Sequence, residues 1–105
     1  MVNRKLLYII NPIAGTGNAA DLEKYIHHEQ AKVKCSYAIE YSNSEGNYQA
    51  VIQRIESELF TDIIIGGGDG TVNQVISALR GLPVQFGIIP VGSENGLART
   101  ANIPI

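Results

Sequence analysis

The chain has 105 residues, of which 45% are hydrophobic and 17% are charged, and its formal net charge is -2. This balance is typical of one small folded domain and excludes a disordered chain. No run of basic residues occurs, so nucleic acid is not expected as a partner. The single Cys35 cannot form an internal disulfide. The apolar run Leu6–Ile10 is too short to cross a membrane and is followed by Asn11-Pro12, which indicates a buried strand.

Four short apolar runs alternate with helical patterns along the chain. The runs predict β-strands at Lys5–Ile10, Val33–Tyr41, Asp62–Ile65 and Phe86–Ile89. Apolar residues at three- and four-residue spacing predict helices between the strands. The apolar faces carry Ala19, Leu22, Tyr25 and Ile26 in the first helix, Tyr48, Val51, Ile52, Ile55 and Leu59 in the second, and Val72, Val75, Ile76 and Leu79 in the third.

The ends of these helices have recognisable signals. Asn18 is the expected N-cap of the first helix, and Gly81 is expected to stop the third. A fourth, short helix is expected from about Asn95. Its apolar residues would be Leu97, Ala98 and Ala101.

The order β-α-β-α-β-α-β-α predicts an α/β fold: a three-layer, doubly wound, mainly parallel, Rossmann-like sheet. Ligands in such folds bind beyond the carboxyl ends of the strands. Those ends carry residues 11–17, 42–46, 66–71 and 90–95, and each of these loops is rich in Gly, Ser, Thr or Asn. The loops at the opposite ends lack this enrichment. The carboxyl edge of the sheet is therefore the predicted site.

The loop Gly66-Gly67-Gly68-Asp69-Gly70-Thr71 follows a predicted strand and opens a predicted helix. Glycines permit positive φ and let backbone N–H groups approach an anion, and the helix N-terminus adds a favourable dipole. Thr71 can donate a hydroxyl to a phosphate oxygen. A carboxylate beside a phosphate needs a cation between them or a proton to move, so Asp69 is interpreted as a Mg²⁺-linked or hydroxyl-orienting group. The competing interpretation is a tight turn in which Asp69 caps the helix.

The first loop admits a different ligand. Gly15, Gly17 and Ala20 match the dinucleotide fingerprint G-x-G-x-x-G/A, and Glu40 lies twenty residues further on, where a ribose-binding acid would stand. Four residues, Asn11-Pro12-Ile13-Ala14, separate the strand from the first glycine, whereas a Rossmann turn begins almost at the strand end. A plain loop with a good helix cap is a further alternative.

The remaining polar loops are less specific. Ser93 and Asn95 can form hydrogen bonds at a helix N-terminus, where Glu94 complements the dipole. Ser42 is equally consistent with a ligand contact and with a helix cap. A Walker loop, a zinc cluster and a nucleophile elbow are all missing from the sequence. His27 and His28 fall late on an amphipathic helix and are expected at the surface.

Three motifs together resemble the diacylglycerol kinase catalytic domain family, which includes diacylglycerol, sphingosine and bacterial lipid kinases. They are Asn11-Pro12 with Gly15, then Gly67-Gly68-Asp69-Gly70-Thr71-Val72-Asn73, then Ile89-Pro90-Val91-Gly92-Ser93-x-Asn95-x-Leu97-Ala98-Arg99. Their order and spacing fit the whole chain. The resemblance implies an N-terminal nucleotide-binding domain like that of phosphofructokinase and NAD kinase.

The resemblance also implies a function and a site. The expected activity is ATP-dependent transfer of the γ-phosphate to the hydroxyl of a diacylglycerol or sphingoid-like lipid, with ATP and Mg²⁺ bound and Asp69 as the catalytic residue. The ATP site would be lined by Asn11, Pro12, Ile13, Ala14, Gly15, Ser42, Gly67, Gly68, Asp69, Gly70, Thr71, Val72, Asn73, Gln74, Gly92, Ser93 and Asn95. Several positions depart from the family pattern. They are Ala14 for Ser, Ser42 for Thr, Gln74 for Glu, Glu94 for Gly and Gly96 for Asp.

The same resemblance implies that residues 1–105 are a fragment of a longer protein. A second, β-rich domain would complete the lipid site, and the fragment alone is expected to be inactive. The expected localisation is cytoplasmic, with peripheral contact at the inner face of the membrane. An NAD kinase-like phosphotransferase and a non-catalytic nucleotide-binding module are the alternatives, and the oligomeric state is not indicated.

Overall fold

The computed structural model describes residues 4–11, 19–33 and 35–90, without the side chains of Ala19, Ala20, Asp69 and Pro90. Strands and helices alternate through this part of the chain. The strands are β1 (Lys5–Ile10), β2 (Ser36–Tyr41), β3 (Asp62–Gly67) and β4 (Gln85–Pro90), and the helices are α1 (Ala19–Gln30), α2 (Gln49–Glu58) and α3 (Asp69–Leu79).

All four strands are parallel and lie in the order β2-β1-β3-β4. The chain therefore moves outward from β1 to β2 and then returns to the other side of β1 for β3 and β4. This reversal creates a topological switch point between β1 and β3, which is where ligands bind in open α/β sheets.

The central strands are buried on both faces, as their continuous apolar sequences predict. Leu7 and Ile9 of β1 pack on one face with apolar residues of α2 and α3. Leu6, Tyr8 and Ile10 pack on the other face with α1. Helices thus cover both faces of one parallel sheet, which confirms the predicted three-layer, doubly wound α/β fold. Each fully buried Leu or Ile stabilises the fold by about 1.5–3 kcal/mol.

Two predicted boundaries were wrong. β2 begins at Ser36 rather than Val33, because the Val33 N–H donates to the Gln30 carbonyl at 3.2 Å in the turn after α1. Leu59 does not belong to the apolar face of α2. It is the C-cap of that helix, in the left-handed conformation with φ 61°, and its side chain is 76% exposed. Phe60, one residue later, enters the core instead.

The helix ends are otherwise close to expectation. Gly81, with φ 96°, follows the end of α3 and confirms the predicted stop. His27 and His28 lie exposed in the last turn of α1, as predicted. The expected cap Asn18 and the expected fourth helix, with Asn95, Leu97, Ala98 and Ala101, lie outside the described residues.

Candidate functional site

Three loops meet at the carboxyl edge because the strands that carry them end in register. Ile10 of β1 is paired with Tyr41 of β2 and with Gly66 of β3. The Asn11 N–H donates to the Gly66 carbonyl at 2.9 Å, and the Ser42 N–H donates to the Ile10 carbonyl at 2.8 Å. The loops after β1 and β2 are therefore each fixed to a neighbouring strand at their first residue.

The loop between β3 and α3 contains fewer residues of the glycine-rich segment than the sequence predicts. Gly66 and Gly67 are buried and belong to β3, and α3 begins at Asp69. Gly68 alone connects strand and helix, as the N-cap residue, with φ -81° and ψ -176°. Asp69 is the first helical residue rather than the cap, so the interpretation of Asp69 as the helix-capping residue was wrong.

The glycines are required for close packing rather than for positive φ. Within the described residues, positive φ among glycines occurs at Gly46 and Gly81, not in the 66–70 segment. A Cβ on Gly67 would lie 2.8 Å from the Thr71 Cβ, and one on Gly66 would lie 3.0 Å from the Leu22 Cδ2. A Cβ on Gly68 or Gly70 would meet no atom within 4 Å. Gly67 therefore lets α3 pack closely against β3, and Gly66 does the same for α1, whereas Gly68 and Gly70 leave the N-terminus of α3 open.

A cleft of about 590 Å³ opens at this N-terminus. Its lining combines the ends of β1 and β2 with the first two turns of α3. The lining residues are Asn11, Ser42, Asn43, Ser44, Gly70, Thr71 and Gln74. Gln74 lies on the same side of the helix as Gly70 and Thr71 because it follows them by four and three residues. None of the described lining residues is charged, so a bound anion would be held by dipoles and by any cation that it brings.

Asn11 and Thr71 connect the two elements at the switch point. The Asn11 Nδ2 donates to the Thr71 Oγ1 at 3.0 Å. Because the Thr71 Oγ1 is the acceptor in this bond, the bond does not use the Thr71 hydroxyl hydrogen, which can be donated to another acceptor. Thr71 lies in the first turn of α3, where N–H groups without helical partners and the positive end of the dipole both favour an anion.

The loop after β2 is held in shape by Asn43. The Asn43 Nδ2 donates to the Asn47 carbonyl at 2.9 Å, and its Oδ1 accepts from the Asn47 N–H at 2.9 Å. Helix α2 starts only at Gln49, with Tyr48 in the N-cap position. Ser42 is thus too far from α2 to cap it. The cap interpretation was wrong, and Ser42 lines the cleft instead.

A buried tyrosine joins this loop to α3. The Tyr48 hydroxyl donates to the Gln74 Oε1 at 2.7 Å and accepts from the Asn43 N–H at 3.4 Å. The predicted apolar face of the second helix included Tyr48, whereas Asn43 and Ser44 were not among the predicted site residues. Their position in a polar loop at the carboxyl edge was the one signal that could have found the latter two.

The other predicted site residues divide into three groups. Val72 packs against the core, Asn73 is exposed on α3, and Gly67 is buried in β3, so these three do not line the cleft. Asp69 is placed by its backbone at the start of α3, next to the lining residue Gly70. Pro12, Ile13, Ala14, Gly15, Gly92, Ser93 and Asn95 lie outside the described residues.

Glu40 does not lie where the dinucleotide interpretation requires a ribose-binding acid. The Glu40 carboxylate accepts from the Arg54 Nη1 at 2.7 Å and does not line the cleft. The Arg54 guanidinium also binds Glu58, and it holds the pKa of the Glu58 carboxyl below its ordinary value. Glu40 therefore belongs to a surface ion-pair network.

A smaller cavity of about 280 Å³ lies at the amino edge of the sheet, beside Arg4, Thr61, Asp62 and Gln85. Its buried carboxylate already has partners, since Asp62 is paired with Arg4 and accepts from the Thr61 hydroxyl at 2.6 Å. We interpret this cluster as a structural link between β1 and β3.

A metal-binding cluster and a membrane-spanning helix are both absent from the described part of the chain. No group of three or more His, Cys, Asp or Glu residues there could hold a metal ion. None of the described helices has the length and apolar character needed to span a membrane.

Comparison with known proteins identifies the family. The family model of the diacylglycerol kinase catalytic domain matches residues 5–105. This chain belongs to that family. A probable lipid kinase YegS-like protein of Yersinia pestis (strain Pestoides F) is 36% identical over 64 residues, which are 57% of this chain and 22% of that protein. The corresponding protein of Yersinia pseudotuberculosis serotype O:1b (strain IP 31758) gives the same values.

Solved structures of the diacylglycerol kinase family have the same fold. A diacylglycerol kinase from Bacillus anthracis strain Sterne superposes with a TM-score of 0.66 at 31% identity, over 85% of this chain and 33% of that one. A second chain from that organism gives 0.68 at 30% identity, over 86% and 33%. This chain thus spans about a third or less of the length of these relatives.

Proposed function

We propose that this chain is the nucleotide-binding domain of an ATP-dependent lipid kinase. The observation that carries the proposal is the position of the 590 Å³ cleft. It lies at the switch point of a parallel sheet, directly against the N-terminus of a helix that follows its strand after one residue, Gly68. This arrangement suits a phosphate chain, and membership of a family with lipid kinases as relatives favours a phosphotransferase.

The described residues would bind ATP through neutral donors. Backbone N–H groups in the first turn of α3 and the Thr71 hydroxyl can donate to phosphate oxygens. Asn11 positions that hydroxyl through its 3.0 Å hydrogen bond. Gln74 provides a further polar group on the same helix, and Ser42 and Ser44 provide polar groups on the opposite wall. The predicted contacts of Gly92, Ser93 and Asn95 remain part of the proposal on sequence grounds.

Magnesium fits this donor set as an ion shared with the nucleotide. Mg²⁺ in such sites is held by one or two carboxylates together with substrate phosphates, so a cluster of three acidic residues is not needed. Asp69, at the start of α3, is the residue that would hold it. When bound, the ion would neutralise the charge of the phosphates.

Catalysis in this proposal depends on positioning. The bond between the γ-phosphorus and the β,γ-bridging oxygen breaks and releases ADP, a bond to the lipid hydroxyl oxygen forms, and the hydroxyl proton passes to a general base or to water. Such transfers need aligned groups and neutralised charge more than covalent help from the protein. The chain contributes the phosphate-binding helix end and Asp69, which orients the acceptor or links the ion.

The lipid acceptor would bind mostly outside these residues. Diacylglycerol or a sphingoid-like lipid is the proposed substrate class, with a second, β-rich domain completing its site. The proposal includes a cytoplasmic location with peripheral contact at the inner membrane face. Alone, residues 1–105 are expected to bind nucleotide weakly and to transfer no phosphate, because part of the cleft would be missing.

The test is an activity assay on the complete protein that carries this chain. We expect ATP-dependent phosphorylation of diacylglycerol or of a long-chain base. Asp69→Asn should lower kcat by at least about 100-fold, the lower range for loss of a catalytic acid–base group, with an unchanged unfolding midpoint. Glu56→Gln, at an exposed position of α2, removes an equal charge and should retain wild-type activity.

Four outcomes would contradict the proposal or part of it. No turnover with any lipid, in protein shown to be folded, would reject the lipid kinase function. Full activity of Asp69→Asn would remove Asp69 from the mechanism. Phosphorylation of NAD in place of lipids would favour the NAD kinase-like alternative. Calorimetric binding of ATP with no turnover of either substrate would favour the non-catalytic module.

A further inference from the structure

Tyr48 has a hydroxyl that the fold alone does not explain. The residue is 2% exposed and belongs to the core cluster that includes Val51, Ile55 and Val75. A phenylalanine could fill that space as well. The hydroxyl instead reaches the polar side of the cluster, where it contacts one residue on each side of the cleft, Asn43 and Gln74.

The direction of each hydrogen bond in this group is determined by chemistry. The Asn43 backbone N–H can only donate, so the Tyr48 oxygen accepts from it. The single hydroxyl hydrogen is then available for Gln74, whose Oε1 lies 2.7 Å away. The amide oxygen of Gln74 is thereby occupied. Both hydrogens of its Nε2 stay outside this network and can be donated to another acceptor.

The loop between β2 and α2 also packs closely against the side-chain amide of Gln74. Gly46 has φ +71°, and a Cβ at that position would lie 3.3 Å from the Gln74 Nε2. The Asn43 side chain fixes the loop through its two hydrogen bonds to Asn47. The Gln74 side chain therefore packs closely against Gly46, and the same residue lines the cleft.

We propose that Tyr48 is a positioning residue of the nucleotide cleft. It turns Gln74 so that an N–H donor, rather than a carbonyl oxygen, is presented to the ligand, and it fixes the loop wall at Asn43. This inference rests on the proposed function. It adds a specificity: position 74 recognises a hydrogen-bond acceptor of the nucleotide, such as a phosphate or ribose oxygen.

The decisive comparison uses two substitutions with different chemistry. Tyr48→Phe keeps the buried ring but releases both Gln74 and Asn43. Gln74→Glu keeps an oxygen for the Tyr48 hydroxyl but replaces the Nε2 donor with a negative acceptor. Gln74→Glu keeps the hydrogen bond from Tyr48, so a change in nucleotide binding comes from the lost donor or from the added charge. The shorter but uncharged Gln74→Asn separates these two causes.

Steady-state kinetics of the complete protein measure the effects. We expect Tyr48→Phe to raise the KM for ATP about three- to tenfold, the range for one hydrogen bond, with kcat changed by less than about twofold. Gln74→Glu should raise that KM by about tenfold or more, because a lost donor is joined by repulsion of phosphate. Tyr37→Phe and Gln53→Glu are the matched controls away from the cleft, and both should keep the wild-type KM.

The outcomes separate this inference from the function on which it rests. A wild-type protein without nucleotide-dependent turnover rejects the proposed function and this inference together. An active wild type with a normal KM in Gln74→Glu rejects the donor role alone. A normal KM in Tyr48→Phe rejects the positioning role. If Tyr48→Phe fails to fold, Gln74→Glu and the conservative Gln74→Asn still decide the donor role.

Discussion

At the scale of single residues, buried polar groups in this chain are arranged in partnered sets. Tyr8 is 2% exposed within β1, and its hydroxyl accepts from the Gln30 Nε2. The Gln30 Oε1 accepts in turn from the Cys35 Sγ at 3.5 Å. The apolar run of β1 predicts that Tyr8 is buried. Its partner could not be predicted, because Gln30 is 22 residues away and its approach depends on how α1 packs on the sheet.

Tyr8 should make stability sensitive to alkaline pH. Burial, the largest cause, raises its pKa from 10.0 to about 12. Because the folded pKa exceeds the unfolded one, this contribution is fully present below pH 10 and is lost as pH rises toward 12. We expect the free energy of unfolding to fall through that window, and less steeply in Tyr8→Phe. Denaturant unfolding at several pH values, with tyrosinate absorbance, measures this; equal slopes would contradict it.

At the scale of elements, periodicity predicted every described helix and strand, because each buries an apolar face. The residues at which strands and helices begin and end were predicted less well. The three consecutive glycines predicted a phosphate-binding loop, yet two of them extend β3, since Thr71 and Leu22 occupy the space that their side chains would need. The contact of Gly66 with Leu22 joins residues distant in sequence and depends on how α1 packs on the sheet. Asn43 and Ser44 were not predicted as lining residues for a related reason. Which residues of the loop between β2 and α2 face the cleft depends on tertiary packing.

The β3–α3 junction offers a matched pair of substitutions. Gly67→Ala would place a Cβ 2.8 Å from the Thr71 Cβ and should destabilise the fold by about 1–3 kcal/mol, as overpacking does. Gly68→Ala meets no atom within 4 Å and has a φ of -81° that alanine adopts, so it should change stability by less than about 0.5 kcal/mol. Unfolding midpoints measure both. Equal effects would show that space at Gly67 is not limiting.

At the scale of the whole molecule, the ion pairs of the described residues lie away from the cleft. The ion pairs Arg54–Glu40 and Arg54–Glu58 lie on the surface around α2, and Arg4–Asp62 lies at the amino edge. The described lining is neutral, and the chain has a net charge of -2. A highly charged ligand such as ATP would therefore bring its own counterion. The family could be predicted from three motifs in register, whereas this neutrality required the structure.

We expect nucleotide affinity to depend strongly on magnesium. Removal of Mg²⁺ should weaken ATP binding to the complete protein by at least about tenfold, since no described cationic side chain in the cleft can replace it. Calorimetric titration with ATP, with and without a chelator, measures the effect, and adenosine serves as the uncharged control. Equal affinity in both conditions would contradict the proposed role of the ion.

Two backbone hydrogen bonds at the strand ends, Asn11 to Gly66 and Ser42 to Ile10, should make local opening of the cleft walls slow. They extend the ladder of the central sheet into the walls of the cleft, so these amides should open only with the sheet itself. We expect slow amide hydrogen exchange at Asn11 and Ser42 without nucleotide, and little further slowing when ATP is added. Such walls are ordered before the ligand arrives, and binding would then cost little conformational entropy.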